Sequence, residues 1–185
     1  MTIELIWNKN DCVLVYQGIT IHAAPKDYPP FTPQAMLEEQ DTELLLNPQT
    51  SLHDPGKPAW YLANTLEDNP SHPLGSVVVK GQQPKRLLAI VHDIEHTPTC
   101  QPAFIQTAWL NVMAIIQENR FTTVAMPLLG TTHGKISVKD AILMLGESLK
   151  QNRPTCLEKI WLILPLDCSC EILAPLSDST NNGTR

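Results

Sequence analysis

The sequence is poor in glycine, with 8 in 185 residues and no repeating triplet, which excludes a collagen-like fibre. Charge is also sparse. Charged residues make up 17% against 43% hydrophobic, the reverse of the balance that keeps a chain disordered. Basic residues are in deficit, 13 Lys and Arg against 19 Asp and Glu, for a formal charge of -6. An acidic surface repels phosphate polymers, so binding of nucleic acid through a broad basic face is excluded. Long apolar runs are missing as well. The run IWLIL at 160–164 is far too short to span a bilayer. The opening MTIELIWNKN lacks the basic start and apolar stretch of a signal peptide. Cysteines are few and odd in number: Cys12, Cys100, Cys156, Cys168 and Cys170. Scattered in this way they suit reduced thiols, and the expectation is a cytoplasmic protein without a membrane partner.

Proline, at 16, is in excess over an average of roughly 5% and points to many stiff turns. Between those turns the β-prone runs are IELIW (3–7), CVLVY (12–16), ITIHA (19–23) and SVVVK (76–80). Thr32-Pro33 reads as a helix start, with Met36 and Leu37 seven and eight residues from Leu44 and Leu45 on one helical face. Residues 48–75 read mostly as loop, with AWYLA between two proline-rich stretches and Trp60-Tyr61 as possible pocket lining.

The second half alternates strand and helix. RLLAIVHDI (86–94), FTTVAMP (121–127) and LEKIWLILPL (157–166) are apolar strands. In 102–120 the stripe Ile105, Ala108, Trp109, Val112 and Ile116 has helical spacing, as do Val138, Ala141, Ile142, Leu145 and Leu149 after a Ser137 cap. This order predicts a three-layer α/β/α sandwich with a mixed, mostly parallel sheet and antiparallel strands at its N-terminal edge. Residues 1–174 are expected to form one domain, and 175–185 a disordered tail.

Chemistry concentrates in VAMPLLGTTHGKISVKDA (124–141), a buried strand, a loop and a helix start. Open α/β sheets bind ligands at the carboxyl ends of their strands, and a helix N-terminus with close glycines favours phosphate. Thr131, Thr132 and Ser137 add hydroxyls and Lys135 adds charge. The plainer alternative is a βα turn whose glycines serve geometry alone. The second candidate is HDIEH, where His92, Glu95 and His96 match the H-x-x-E-H pattern of zinc hydrolases. That motif needs a helix, whereas His92 ends a strand run. Cys168 and Cys170 have no second pair to complete a metal site. Neither a G-x-S-x-G elbow nor a P-loop motif occurs.

Strand, PLLGTTHG and amphipathic helix, preceded by LLAIVHDI and the helix 102–119, resemble the second ligand-binding loop of macro domains and the elements before it. The resemblance spans residues 86–166. It implies an α/β/α module that binds ADP-ribose or a related small phosphorylated nucleotide, with no cofactor and no metal. Leu129, Gly130, Thr131, Thr132, His133 and Gly134 would line the phosphate site, with His133 against the ribose. If the chain is an enzyme, it would be a hydrolase of ADP-ribose derivatives, with His133 as the candidate acid–base group. The chain departs from the family pattern at Thr132 and Lys135, where glycine is usual. It also lacks the Gly-Asp-Ile and Asn-Ala-Ala-Asn segments, which leaves Asp11 as the adenine candidate. These departures support the alternative of a degenerate module without nucleotide that acts in protein interaction; a zinc hydrolase on His92, Glu95 and His96 is the second alternative.

Overall fold

The computed structural model describes residues 7–8, 11–46, 71–165 and 170–178. Eight strands form one sheet: β1 (Trp7–Asn8), β2 (Asp11–Tyr16), β3 (Ile19–Pro25), β4 (Ala35–Asp41), β5 (Val77–Lys80), β6 (Lys85–His92), β7 (Thr123–Pro127) and β8 (Lys159–Leu164), in spatial order β1-β2-β3-β8-β7-β4-β6-β5. The five strands from β3 to β6 in that order are mutually parallel, while β1, β2 and β5 add antiparallel edges. The expected mixed, mostly parallel sheet is therefore present. β3, though, joins the parallel block through β8 and is not an edge.

Helices α1 (Pro102–Asn119) and α2 (Val138–Asn152) pack together on one face of the sheet. The α1 stripe of Ile105, Ala108, Trp109, Val112 and Ile116 is buried as its spacing requires. On α2, Ala141, Ile142, Leu145 and Leu149 are buried, while Val138 at the helix start is exposed. The amide of Asp140 donates to the Ser137 hydroxyl at 3.1 Å, which caps α2. Alternate residues of each strand meet these helices: Ile19, Ile21, Ala23, Ala35, Leu37, Val124, Met126, Ile160 and Leu162 belong to one core. The opposite face carries a smaller cluster around Ala24, Ala125 and Trp161.

Three expectations are corrected. Residues 35–41 form a strand, not a helix begun at Thr32-Pro33. Ala35 and Leu37 face the helix-covered core and Met36 the other side, a period of two that the leucines at 44 and 45 had obscured. Second, Cys12 and Cys170 are joined by a disulfide, so these thiols are not free; Cys100 and Cys156 are. Disulfides persist mainly in oxidising compartments, which removes the ground on which a cytoplasmic setting was expected. Third, the segment expected to be disordered from 175 begins as a helix, α3 (Ala174–Asp178), following a 3-10 turn (Cys170–Leu173). Leu173 and Leu176 are buried, and a Cβ at Gly146 of α2 would lie 2.6 Å from Leu176 Cδ2. AWYLA, Trp60-Tyr61 and Cys168 fall outside the described residues.

Candidate functional site

β4 is the strand that opens the cleft. It pairs with β6 over its whole length, but with β7 only at Ala35–Val124 and Met36–Ala125. Beyond Met36 the two parallel neighbours separate, and four polar residues of β4 line or tie down the gap. Glu38 receives a two-pronged bond from Arg86 on β6, at 2.8 and 2.6 Å. Gln40 donates from Nε2 to the Leu46 carbonyl at 2.6 Å. Asp41, with no exposed surface, accepts from the amides of Glu43 and Leu45 and fixes the turn after the strand.

Glu39 does something different. It crosses the gap to the loop after β7, where its Oε1 accepts from the Gly130 amide at 2.5 Å. Its Oε2 lies 3.1 Å from Nε2 of His92, at the end of β6. Nδ1 of His92 is 3.3 Å from the Thr99 hydroxyl. An ionised carboxylate only accepts, so Nε2 of His92 carries the proton facing it. The four groups form a chain, Thr99–His92–Glu39–Gly130, buried except at half-buried Thr99. Glu39 is 6% exposed and His92 1%. The His133 ring stands edge-on to that of His92, with centroids 6.0 Å apart. Cys100 lies nearby, and burial, assisted by the Glu39 charge, pushes its thiol up to about 12.

The loop itself divides in two. Thr131 donates its amide to the Leu128 carbonyl, and the Ile136 amide closes the loop on the Gly130 carbonyl. Between them the amides of Thr132, His133, Gly134 and Lys135 have no hydrogen bond to any described residue. Gly130 has φ of +81°, and a Cβ there would sit 2.5 Å from Ile105 Cδ1. A Cβ at Gly134 would sit 2.5 Å from the Gly130 carbonyl oxygen. Both glycines are demanded by the packing of the loop, whatever it binds. Leu129 is fully buried in the core, so its side chain does not line the cleft. A cavity of about 170 Å³ lies at the carboxyl ends of β3, β4, β7 and β8. Its lining includes Lys26, Glu39, Pro127, Thr132, His133 and Ile163.

The structure thus brings Thr132 and His133 to a cavity and sets Gly130 and Gly134 behind them. Asp11 opens β2 beside Asn8 of β1, in the outermost strand pair of the sheet. The HDIEH residues do not converge. His92 is buried on Glu39, whereas His96 is largely exposed and pairs with Asp93 at 2.8 Å. Among the described residues no group of three His, Cys, Asp or Glu is placed to hold a metal ion. Glu39 and Lys26 are cleft residues that the sequence reading missed. Alternation of Ala35, Leu37 and Glu39 on one strand face was the signal for the first. Lys26, one residue past a strand now seen to be parallel, had none without the sheet order.

The sheet order and the helices define the class: the fold is that of the macrodomains, an α/β/α sandwich with a largely parallel sheet. The Oceanobacillus iheyensis macrodomain solved with ADP is 12% identical, with a TM-score of 0.61 over 97% of this chain and 96% of that one. A variant of the same macrodomain solved with ADPR is 14% identical, with a TM-score of 0.64 over 92% and 98%. The macrodomain of Mycobacterium tuberculosis DarG is 15% identical, with a TM-score of 0.58 over 80% and 100%. The sequence matches no protein-family model and no curated protein. No helix among the described residues is long and apolar enough to cross a membrane.

Proposed function

We propose that this chain binds a small phosphorylated nucleotide of the ADP-ribose type in the cleft at the carboxyl ends of β3, β8, β7 and β4. The observation that carries this reading is the run of four amides, Thr132 to Lys135, without a hydrogen bond among the described residues just before the N-terminus of α2, with Thr132 and His133 lining the cavity. Successive main-chain donors next to a helix start favour an anion, and Lys135 and Lys26 add positive charge. The likeness to macrodomains solved with ADP and ADPR supports the same class of ligand.

The phosphate site expected over Leu129–Gly134 contracts in this reading. Leu129, Gly130 and Thr131 shape the loop, Thr132, His133 and Gly134 supply donors, and Lys135 joins them. His133 flanks the sugar. As an acid–base group it would act on ADP-ribose derivatives with its ring braced against His92. Isothermal titration with AMP and ADP-ribose tests binding directly. Saturable heat that His133→Ala weakens supports the reading, and no heat at millimolar ligand with folded protein refutes it.

A second reading, a module without nucleotide that serves in protein interaction, is favoured by Glu39. Its carboxylate already satisfies the loop's first amide and brings negative charge into the cleft. Absence of nucleotide affinity in that titration, with the Glu39 variants equally silent, would remove the first reading and leave this one to be tested by recovery of a protein partner.

A further inference from the structure

Resting on the binding reading above, we propose that Glu39 is a specificity-determining residue. Its buried carboxylate stands in the cavity lining and holds negative charge there, so that the cleft selects a phosphate monoester over a diphosphate. A diphosphate presents two adjacent anionic groups and needs two sets of donors. The unpaired amides of the loop are those of Thr132 to Lys135, while the Gly130 amide, outside the cavity lining, is bonded to the Glu39 carboxylate. That bond is charge-assisted and anchors the carboxylate where it stands. The carboxylate is also held from behind by His92, and His92 by Thr99, so it has no free direction in which to swing. A second phosphate would have to sit beside a buried negative charge that salt screens poorly.

Cavity size points the same way. About 170 Å³ falls below the roughly 300–1,000 Å³ of sites for larger ligands. It suits one phosphate with a pentose, any base lying outside. The ligand class is therefore a sugar phosphate or a nucleoside monophosphate.

The test is calorimetry at fixed ionic strength with ribose 5-phosphate, AMP and ADP-ribose, on the native chain and on Glu39→Gln and Glu39→Ala. The glutamine variant keeps an acceptor for the Gly130 amide. His92 adapts by changing tautomer, accepting from the new amide and donating to Thr99. The native chain is expected to favour the two monoesters over ADP-ribose by about tenfold or more. Glu39→Gln, which removes the charge but keeps the bond to Gly130, should shift that ratio about tenfold toward ADP-ribose. Glu39→Ala, checked for folding by its thermal transition, should shift it at least as far. A native chain that prefers ADP-ribose, or a ratio that neither variant moves, overturns the selectivity while the binding reading stands. Binding of ADP-ribose by the variants, with none of the three compounds bound by the native chain, overturns the monoester selectivity and native nucleotide binding alike. Silence from all three proteins with all three compounds removes both.

Discussion

The face of the sheet under α1 and α2 and the carboxyl edge of the same strands are built by different forces. Beneath the helices, contacts are apolar and redundant: Leu37, Val124, Met126, Ile160, Leu145 and Ile105 share one core. At the edge, a few hydrogen bonds hold everything. The Glu39 side chain ties β4 to the loop after β7 and to the His92 ring. Burial of nonpolar area is non-directional, so the first region tolerates adjustment. Buried polar groups are costly when they lose a partner, so the second is more easily broken by a single change.

Four experiments separate the two regions. Leu145→Ala, a truncation at a fully buried position, should lower stability by about 2–5 kcal/mol in urea unfolding. It should leave ligand affinity untouched, because Leu145 belongs to the helix-covered core and does not line the cavity; a loss of affinity without unfolding would blur the division. Cys170→Ser opens a link between residues 158 apart and should cost about 2–4 kcal/mol. The same shift should appear in the native chain on adding a reductant, and no shift would mean that the bridge contributes nothing. Glu39→Ala leaves the Gly130 amide and His92 without their partner, for about 1–3 kcal/mol. Its effect should concentrate in faster hydrogen exchange at Gly130 and Ile136, and uniform exchange across the sheet would contradict a local role.

The smallest effect is on pH. The Cys100 thiol ionises near 9 when unfolded but only at about 12 when folded. Above pH 9 the native state therefore holds a proton that the unfolded state has released, and stability falls as pH rises. The loss should reach roughly 1 kcal/mol by pH 10, with no contribution below about 9. Cys100→Ala should flatten that slope; a slope that persists would assign it to other groups.

The same contrast explains what the sequence disclosed. The α1 stripe and the strands at 123–127 and 159–164 were legible because apolar periodicity is written in the residues themselves. The Ser137 cap was legible because capping is local. β4 was not. AMLEEQD is half polar, and it becomes a strand because β6 and β7 pair with it on both sides, a tertiary effect that outweighs its composition. Losing β4 meant losing Glu39, and with it the fact that the Gly130 amide was already taken. The Cys12–Cys170 link was hidden for the same reason: sequence spacing does not reveal that the 3-10 turn at Cys170–Leu173 returns to β2.

The most direct measurement is an amide proton–nitrogen spectrum of the native chain during titration with AMP. Resonances of Thr132, His133, Gly134 and Lys135 are expected to move and saturate together while that of Gly130, bound to Glu39, stays nearly still. Movement led by Gly130, or no movement in the loop of folded protein, would contradict the division of donors on which the proposed site depends.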